Sequence, residues 1–175
     1  MNKGVEKGAG LWLPNKWDIR FIELAKYISD WSKDRSTKVG CVIAGPMNEV
    51  RSLGYNGFPR GIDDEVEARH ERPDKYLWTE HAERNAIYNA ARLGISLDGC
   101  SIYLTWYPCT DCARALVQSG IRRLVGLEPD WNDLKWQSHF AVTRELLAEA
   151  GVEVAFAPPA MLDQRSGQEI TGPTA

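Results

Sequence analysis

The 175-residue chain has no stretch approaching the roughly 18 uninterrupted apolar residues that a membrane-spanning helix requires, so no part of it reads as a transmembrane segment. It also has no leader pattern. The opening MNKGVEKGAG carries a little charge but no apolar run follows it, which gives no support to a secretory signal and makes a soluble, cytoplasmic protein the expectation. A basic excess is missing as well: 21 Lys and Arg stand against 24 Asp and Glu, a net charge of −3 with a pI of about 5.7. The summed field would repel long nucleic acid, so a small-molecule partner is favoured and a polynucleotide disfavoured. No internal repeat or low-complexity tract occurs. The four cysteines are few for a disulfide framework, and a chain long enough to bury a core needs no staples, so metal binding or catalysis is their better use.

What is present is ordinary globular composition, 43% hydrophobic and 26% charged, in a length that suits one domain. Residues 1–14 read as a flexible arm whose LWLP docks its apolar residues. Residues 15–156 form the domain, and 157–175, polar with Pro and Gly, form a C-terminal tail. Behind Asn15 as N-cap, Trp17, Phe21, Leu24, Ala25 and Ile28 recur at about 3.6-residue spacing and predict an amphipathic helix. VGCVIA and VRSLGYN read as strands around the turn GPMNE. Residues 56–78 show no sustained period and read as a long functional loop.

A second helix is predicted over 80–92, capped by Thr79 and stopped by Gly94, with Ala82, Ala86, Ile87, Ala90 and Leu93 as its buried stripe. The strand SIYLTW follows. PCTDCARALVQSG is a helix opened by Pro108 at its first position and closed by Gly120, and RRLVGL is the next strand. A helix over 138–150, Gly151 and the strand VEVAF complete the series. Short connections between alternating strands and helices call for right-handed crossovers and parallel pairing, with the first two strands as an antiparallel hairpin at one side. The fold class is therefore α/β, a five-stranded mixed sheet flanked by helices.

Two short motifs carry the chemistry. Cys109 and Cys112 have C-x-x-C spacing, which alone fits a zinc site or a redox pair equally well. No second C-x-x-C or C-x-x-H supplies a structural zinc with four ligands, and a redox pair leaves the H-x-E of TEHAERN unexplained. His81 as third ligand gives three protein ligands and an open fourth position, the catalytic arrangement. H-x-E followed by P-C-x-x-C is the signature of zinc nucleobase deaminases, in which the Glu is not a ligand. Two helix N-termini at the metal favour thiolates and partly restore the positive charge that two thiolates cancel. On a regular helix, residues two apart lie about 200° apart, so His81 and Glu83 can serve one centre only at the helix end. The reaction expected is hydrolysis at an amine-bearing ring carbon, with Glu83 carrying the water proton to the ring nitrogen and then a proton to departing ammonia.

Beyond that signature, SKDRSTKVGCVI, GYNGFPRG and HAERNAI resemble the deoxycytidylate (dCMP) deaminase family of the cytidine deaminase superfamily, from about Trp17 to Phe156. The resemblance implies a three-layer cytidine-deaminase-like fold and zinc (Zn²⁺) on His81, Cys109 and Cys112, with Glu83 as catalytic proton shuttle. It also implies Asn56 on the substrate and conversion of dCMP to dUMP and ammonia, which feeds thymidylate synthesis. Lys33, Arg35 and Lys38 are candidate phosphate contacts, Lys38 foremost. Trp106, Trp131 and Trp136 are candidate walls for the base, Trp131 foremost. Family members are commonly homo-oligomers, some controlled by dCTP and dTTP, which makes Gly54, Tyr55, Gly57 and Phe58 candidate effector contacts; a tight structural turn is the alternative. No second, structural zinc is expected, because the 56–78 loop has His70 but no cysteine.

Two features depart from the family pattern, Glu80 before the zinc histidine and the acidic, Trp-rich 128–137. They leave open another amine-bearing substrate of the same superfamily, such as dCTP, a modified cytosine nucleotide, a purine or an RNA base. A zinc-stabilised binding module without activity is the reading from another class, and the intact Glu83 argues against it.

Overall fold

A computed structural model describes residues 15–157. The arm at 1–14 and the tail after 157 lie outside the described residues. Ala157, assigned to the tail by sequence, is the buried last residue of a strand.

Helix α1 (Lys16–Ser29) begins in a capping box: the Asn15 side chain accepts from the Trp17 and Asp18 amides, and Asp18 accepts from the Asn15 amide. Asp18 is also the buried polar anchor of the helix, accepting from the Tyr103 hydroxyl and from Arg123. The strands β1 (Gly40–Ala44), β2 (Val50–Tyr55), β3 (Ser101–Leu104), β4 (Arg123–Leu127) and β5 (Glu153–Ala157) form one sheet in the order β2-β1-β3-β4-β5. β1 runs antiparallel to β2 and β3, while β3, β4 and β5 are parallel, so the predicted hairpin does sit at one side of a mixed five-stranded sheet.

Successive residues of the inner strands serve opposite faces, and both faces are covered. Val42, Tyr103 and Val125 pack on α1, whereas Cys41, Ile43, Ile102, Leu104 and Leu124 pack on α3 (Ala82–Leu93), α4 (Thr110–Gln118) and α5 (Gln137–Glu149). The result is the three-layer α/β fold expected.

The helix α3 lies close on β2 because both surfaces are small there. Ala82 and Ala86 face Gly54, where a Cβ would overlap the Ala82 carbonyl oxygen and lie 2.6 Å from the Ala86 nitrogen. Side chains close the seam: Ser52 donates to the Ala86 carbonyl, while Asn85 and Asn89 donate to the carbonyls of Tyr55 and Leu53.

Four local expectations are corrected. Residues 56–78 are not one irregular loop but contain a 3₁₀ turn, Glu67–His70, and the short helix α2 (Lys75–Trp78). Thr79 does not cap α3; it ends α2, its hydroxyl donating to the Lys75 carbonyl at 2.7 Å. Pro108 lies one position before the N-cap of α4, which is Cys109. Leu93 is 75% exposed; the covered face of α3 is Ala82, Glu83, Ala86 and Ala90, with Ile87 packed against the core.

The seam makes a stability prediction. Gly54→Ala should cost about 1–3 kcal/mol in urea unfolding, the range for overpacking a fitted contact. Gly57→Ala, whose added Cβ meets nothing nearer than Tyr55 Cε2 at 3.7 Å, should stay within about 0.5 kcal/mol of the parent.

Candidate active site

Glu80 is held in extended conformation by an antiparallel bridge to Gly57: the Gly57 amide donates to the Glu80 carbonyl at 3.0 Å, and the Glu80 amide to the Gly57 carbonyl at 2.8 Å. The helix cannot begin until Ala82. His81 is therefore the N-cap, with φ −78° and ψ 154°, and its side chain is freed from the helical screw that would have turned it away from Glu83. The Glu80 carboxylate accepts from the His81 amide and from Arg84, and so faces its own helix.

Cys109 is likewise an N-cap, with φ −73° and ψ 170°, and Cys112 is buried in the first turn of α4. Parallel strand–helix connectivity brings the two helix starts together at the strand ends. His81 Nδ1 stands 3.5 Å from Cys109 Sγ and 3.4 Å from Cys112 Sγ. Ordinary zinc–sulfur and zinc–nitrogen lengths in a tetrahedron place those atoms about 3.6 Å apart, so the donor set fits the ion. All three donor atoms lie within 4.8 Å of one another.

The charges in this cluster are strongly coupled. Hydrogen bonds from Cys112 and then from His81 hold the Cys109 thiol down at about 3, against the opposing effect of burial. The hydrogen bond to Cys109 raises His81 to about 9. Cys112 is pushed well up, first by its bond to the Cys109 thiolate and then by burial. A divalent cation on the three donors supplies the positive charge under which both sulfurs ionise. Glu83, 3% exposed in the first turn of α3, adjoins Cys112, and burial raises its carboxyl.

His81, Glu83 and Cys109 lie at the bottom of an open-mouthed cavity of about 710 Å³, a volume that includes solvent at its mouth. Trp106, Tyr107 and Trp136 form one wall. The lining also includes a buried polar group. Lys75 donates to both Asp34 oxygens, at 2.7 and 2.9 Å, and to Ser36 Oγ; the Asp34 and Lys75 side chains are each 8% exposed. Asn56 belongs to the same group, its Oδ1 accepting from the Val39 amide while its Nδ2 donates to the Thr37 carbonyl and to Asp34. Arg72, Tyr76 and Lys135, all exposed, stand at the mouth.

Other residues singled out by sequence lie elsewhere. Lys38 is exposed, reaches the Asp30 carbonyl and does not line the cavity. Lys33 pairs with Asp64 and Glu65, and Arg35 with Glu67, so both cations of that stretch are engaged by the acidic part of the 56–78 segment. Trp131 packs among Tyr107, Phe140 and Phe156 with its Nε1 donating to Glu128, behind the wall rather than in it. Gly54 is the buried contact with α3, and Tyr55 stacks edge-on with Trp31. Gly57 and Phe58 border a smaller recess with Lys33, Arg35 and His70.

A histidine and two cysteines at paired helix starts, beside a buried glutamate in a cavity, define a zinc-dependent deaminase. The sequence model described as the cytidine and deoxycytidylate deaminase zinc-binding region matches residues 15–128, and the chain belongs to that family. It is 41% identical over 145 residues to an uncharacterized deaminase of Aliivibrio fischeri, covering 82% of this chain and 95% of the relative. To the human deoxycytidylate deaminase it is 32% identical over 123 residues, 67% of this chain and 68% of that one. Among solved structures, the dCMP deaminase of cyanophage S-TIM5 in complex with dCMP and dUMP is similar, with a TM-score of 0.66 and 25% identity, over 83% of this chain and all of that one.

The buried ion pair makes the second prediction. Burial alone pushes the Asp34 carboxyl up, but Lys75 and the Ser36 and Thr37 amides outweigh it and bring it from 3.8 to about 2. A carboxyl lowered on folding contributes stability that is complete above its unfolded value and is lost as pH falls through the folded one. Lys75→Met should cost about 3–5 kcal/mol at neutral pH by leaving the carboxylate buried without its partner. Urea titrations should show the wild type losing stability between pH 3.8 and about 2 and the variant losing this component.

Proposed function

We propose that the protein hydrolyses dCMP to dUMP and ammonia, and so feeds thymidylate synthesis. The observation that carries the reading is the placement of buried Glu83 against a His81–Cys109–Cys112 triangle of zinc dimensions in the lining of one open cavity. The curated human relative and the S-TIM5 structure, both named for dCMP deamination, support the substrate.

Zinc held by His81, Cys109 and Cys112 would act as a Lewis acid and make water a nucleophile at neutral pH. Glu83 takes the proton of the attacking water as the new C–O bond forms at the amine-bearing carbon, and hands it to the adjacent ring nitrogen. It then delivers the second water proton to the amine as the C–N bond breaks and ammonia leaves. Its burial keeps this traffic away from bulk water.

Asn56 has both amide hydrogens engaged, so it offers substrate an acceptor at Oδ1, which suits a sugar hydroxyl. Trp106 and Trp136 replace Trp131 as the faces on which the base stacks. Glu80 gives no ground for an altered substrate, because its carboxylate is occupied by His81 and Arg84. Homo-oligomeric assembly, with dCTP and dTTP as effectors near Tyr55, Gly57 and Phe58, belongs to the same reading. A cytoplasmic location agrees with four free cysteines, and no described helix is long and apolar enough to cross a membrane.

Zinc-loaded protein should release ammonia from dCMP. Glu83→Gln should retain its zinc and lose about 10²–10⁴ in kcat, the range for a general acid–base. A fully active Glu83→Gln would remove the proton shuttle from this mechanism.

A further inference from the structure

We infer that Arg72 and Lys135, reaching the cavity mouth from two separate segments, are the residues that select a 5′-phosphate. The inference rests on the proposed deamination and adds to it the recognition of the phosphate.

Three cations line the cavity, Arg72, Lys75 and Lys135, and Lys75 is already paired with Asp34. Lys33, Arg35, Arg51, Lys75, Arg84, Arg114 and Arg123 all have carboxylate partners. Arg72 and Lys135 have none within ion-pair distance among the described residues, although both line the cavity. Arg72 donates only to the Ser36 hydroxyl, at 3.3 Å. Lys135 donates to the Tyr76 hydroxyl, with its ammonium 4.3 Å from the Tyr76 ring centre and 4.8 Å from that of Trp136. These hydroxyl and ring partners leave the charge of each cation uncancelled, so a dianion gains an ionic attraction that they do not offer.

Position agrees with chemistry. The inner polar wall is already neutral, since Asp34 and Lys75 cancel within hydrogen-bond distance. Positive charge is therefore left on two exposed side chains at the open end of the cavity, whereas the donors of the zinc triangle are buried or half-buried. A nucleotide with its base at the bottom carries its phosphate to that end. Both cations border the Tyr76 ring, whose centre is 5.9 Å from the Arg72 guanidinium and 4.3 Å from the Lys135 ammonium, so the two charges share one part of the cavity lining. The role given by sequence to Lys38 passes to this pair.

The test compares kcat/KM for dCMP and for deoxycytidine, by ammonia release from zinc-loaded enzyme, in wild type, Arg72→Gln, Lys135→Gln and Lys38→Gln. Each cavity-mouth variant should lose roughly 10- to 100-fold on dCMP, mostly through KM, and keep the wild-type rate on deoxycytidine. Lys135→Arg should restore most of the loss, and the rise of KM for dCMP with salt should flatten in both glutamine variants. Lys38→Gln should match wild type on both substrates. An unchanged KM for dCMP in Arg72→Gln and Lys135→Gln overturns the inference. Equal losses on nucleotide and nucleoside, or a selective loss in Lys38→Gln, overturn it too. Wild-type enzyme that releases no ammonia from dCMP sinks the proposed deamination instead. The phosphate selection is then read by calorimetry with dUMP and deoxyuridine, where the two variants should weaken dUMP alone and an unweakened dUMP overturns the inference.

Discussion

The pair of backbone hydrogen bonds between Gly57 and Glu80 is the constraint on which the site depends. It keeps the chain extended for one residue longer than the helix-forming sequence around it would require. That residue is His81. One more helical residue would rotate the imidazole about 100° and carry it away from the cysteines. The same bridge joins the end of β2, which carries Asn56, to the start of α3, which carries Glu83, so a sheet edge and a helix start are set by one contact. The alanine stripe facing Gly54 then fixes the height of the helix above the sheet.

Electrostatics divides the cavity into two regions. At the bottom, buried groups hold one another in fixed charge states: Cys109 is pulled down by Cys112 and His81, while burial raises Glu83. On the polar wall the Asp34–Lys75 pair is cancelled internally and serves to hold Asn56 and the 34–37 turn. A buried pair of this kind adds little net stability compared with apolar packing but is costly to break. Its value here is in fixing where the amide of Asn56 points.

Much of this was legible in the sequence. Helical periodicity and glycine stops gave the element order, and the H-x-E and P-C-x-x-C motifs pointed to three side chains that the fold does bring together, because such patterns are local in the chain. The helix starts were misjudged by one or two residues, since Thr79 and Pro108 have good capping chemistry but a tertiary bridge and the metal-site geometry decide the boundary. The cavity mouth was hidden for a different reason. The acidic look of 128–137 drew attention from Lys135, yet Glu128 binds the Trp131 indole and Asp130 and Asp133 bond their own turn. Conversely the inviting cations Lys33 and Arg35 are consumed by Asp64, Glu65 and Glu67, which only the folded chain brings to them. Partner choice across about 30 residues has no period to read.

The 56–78 segment is fastened at its outer part by exposed ion pairs, Lys33 with Asp64 and Arg35 with Glu67, each worth about 0–1 kcal/mol, whereas the metal donors ride on helices sewn to the sheet. The architecture thus separates a buried reaction centre from an entrance whose outer part is lightly held. Substitutions in that outer part can therefore alter which molecule is admitted without moving the groups that break the bond.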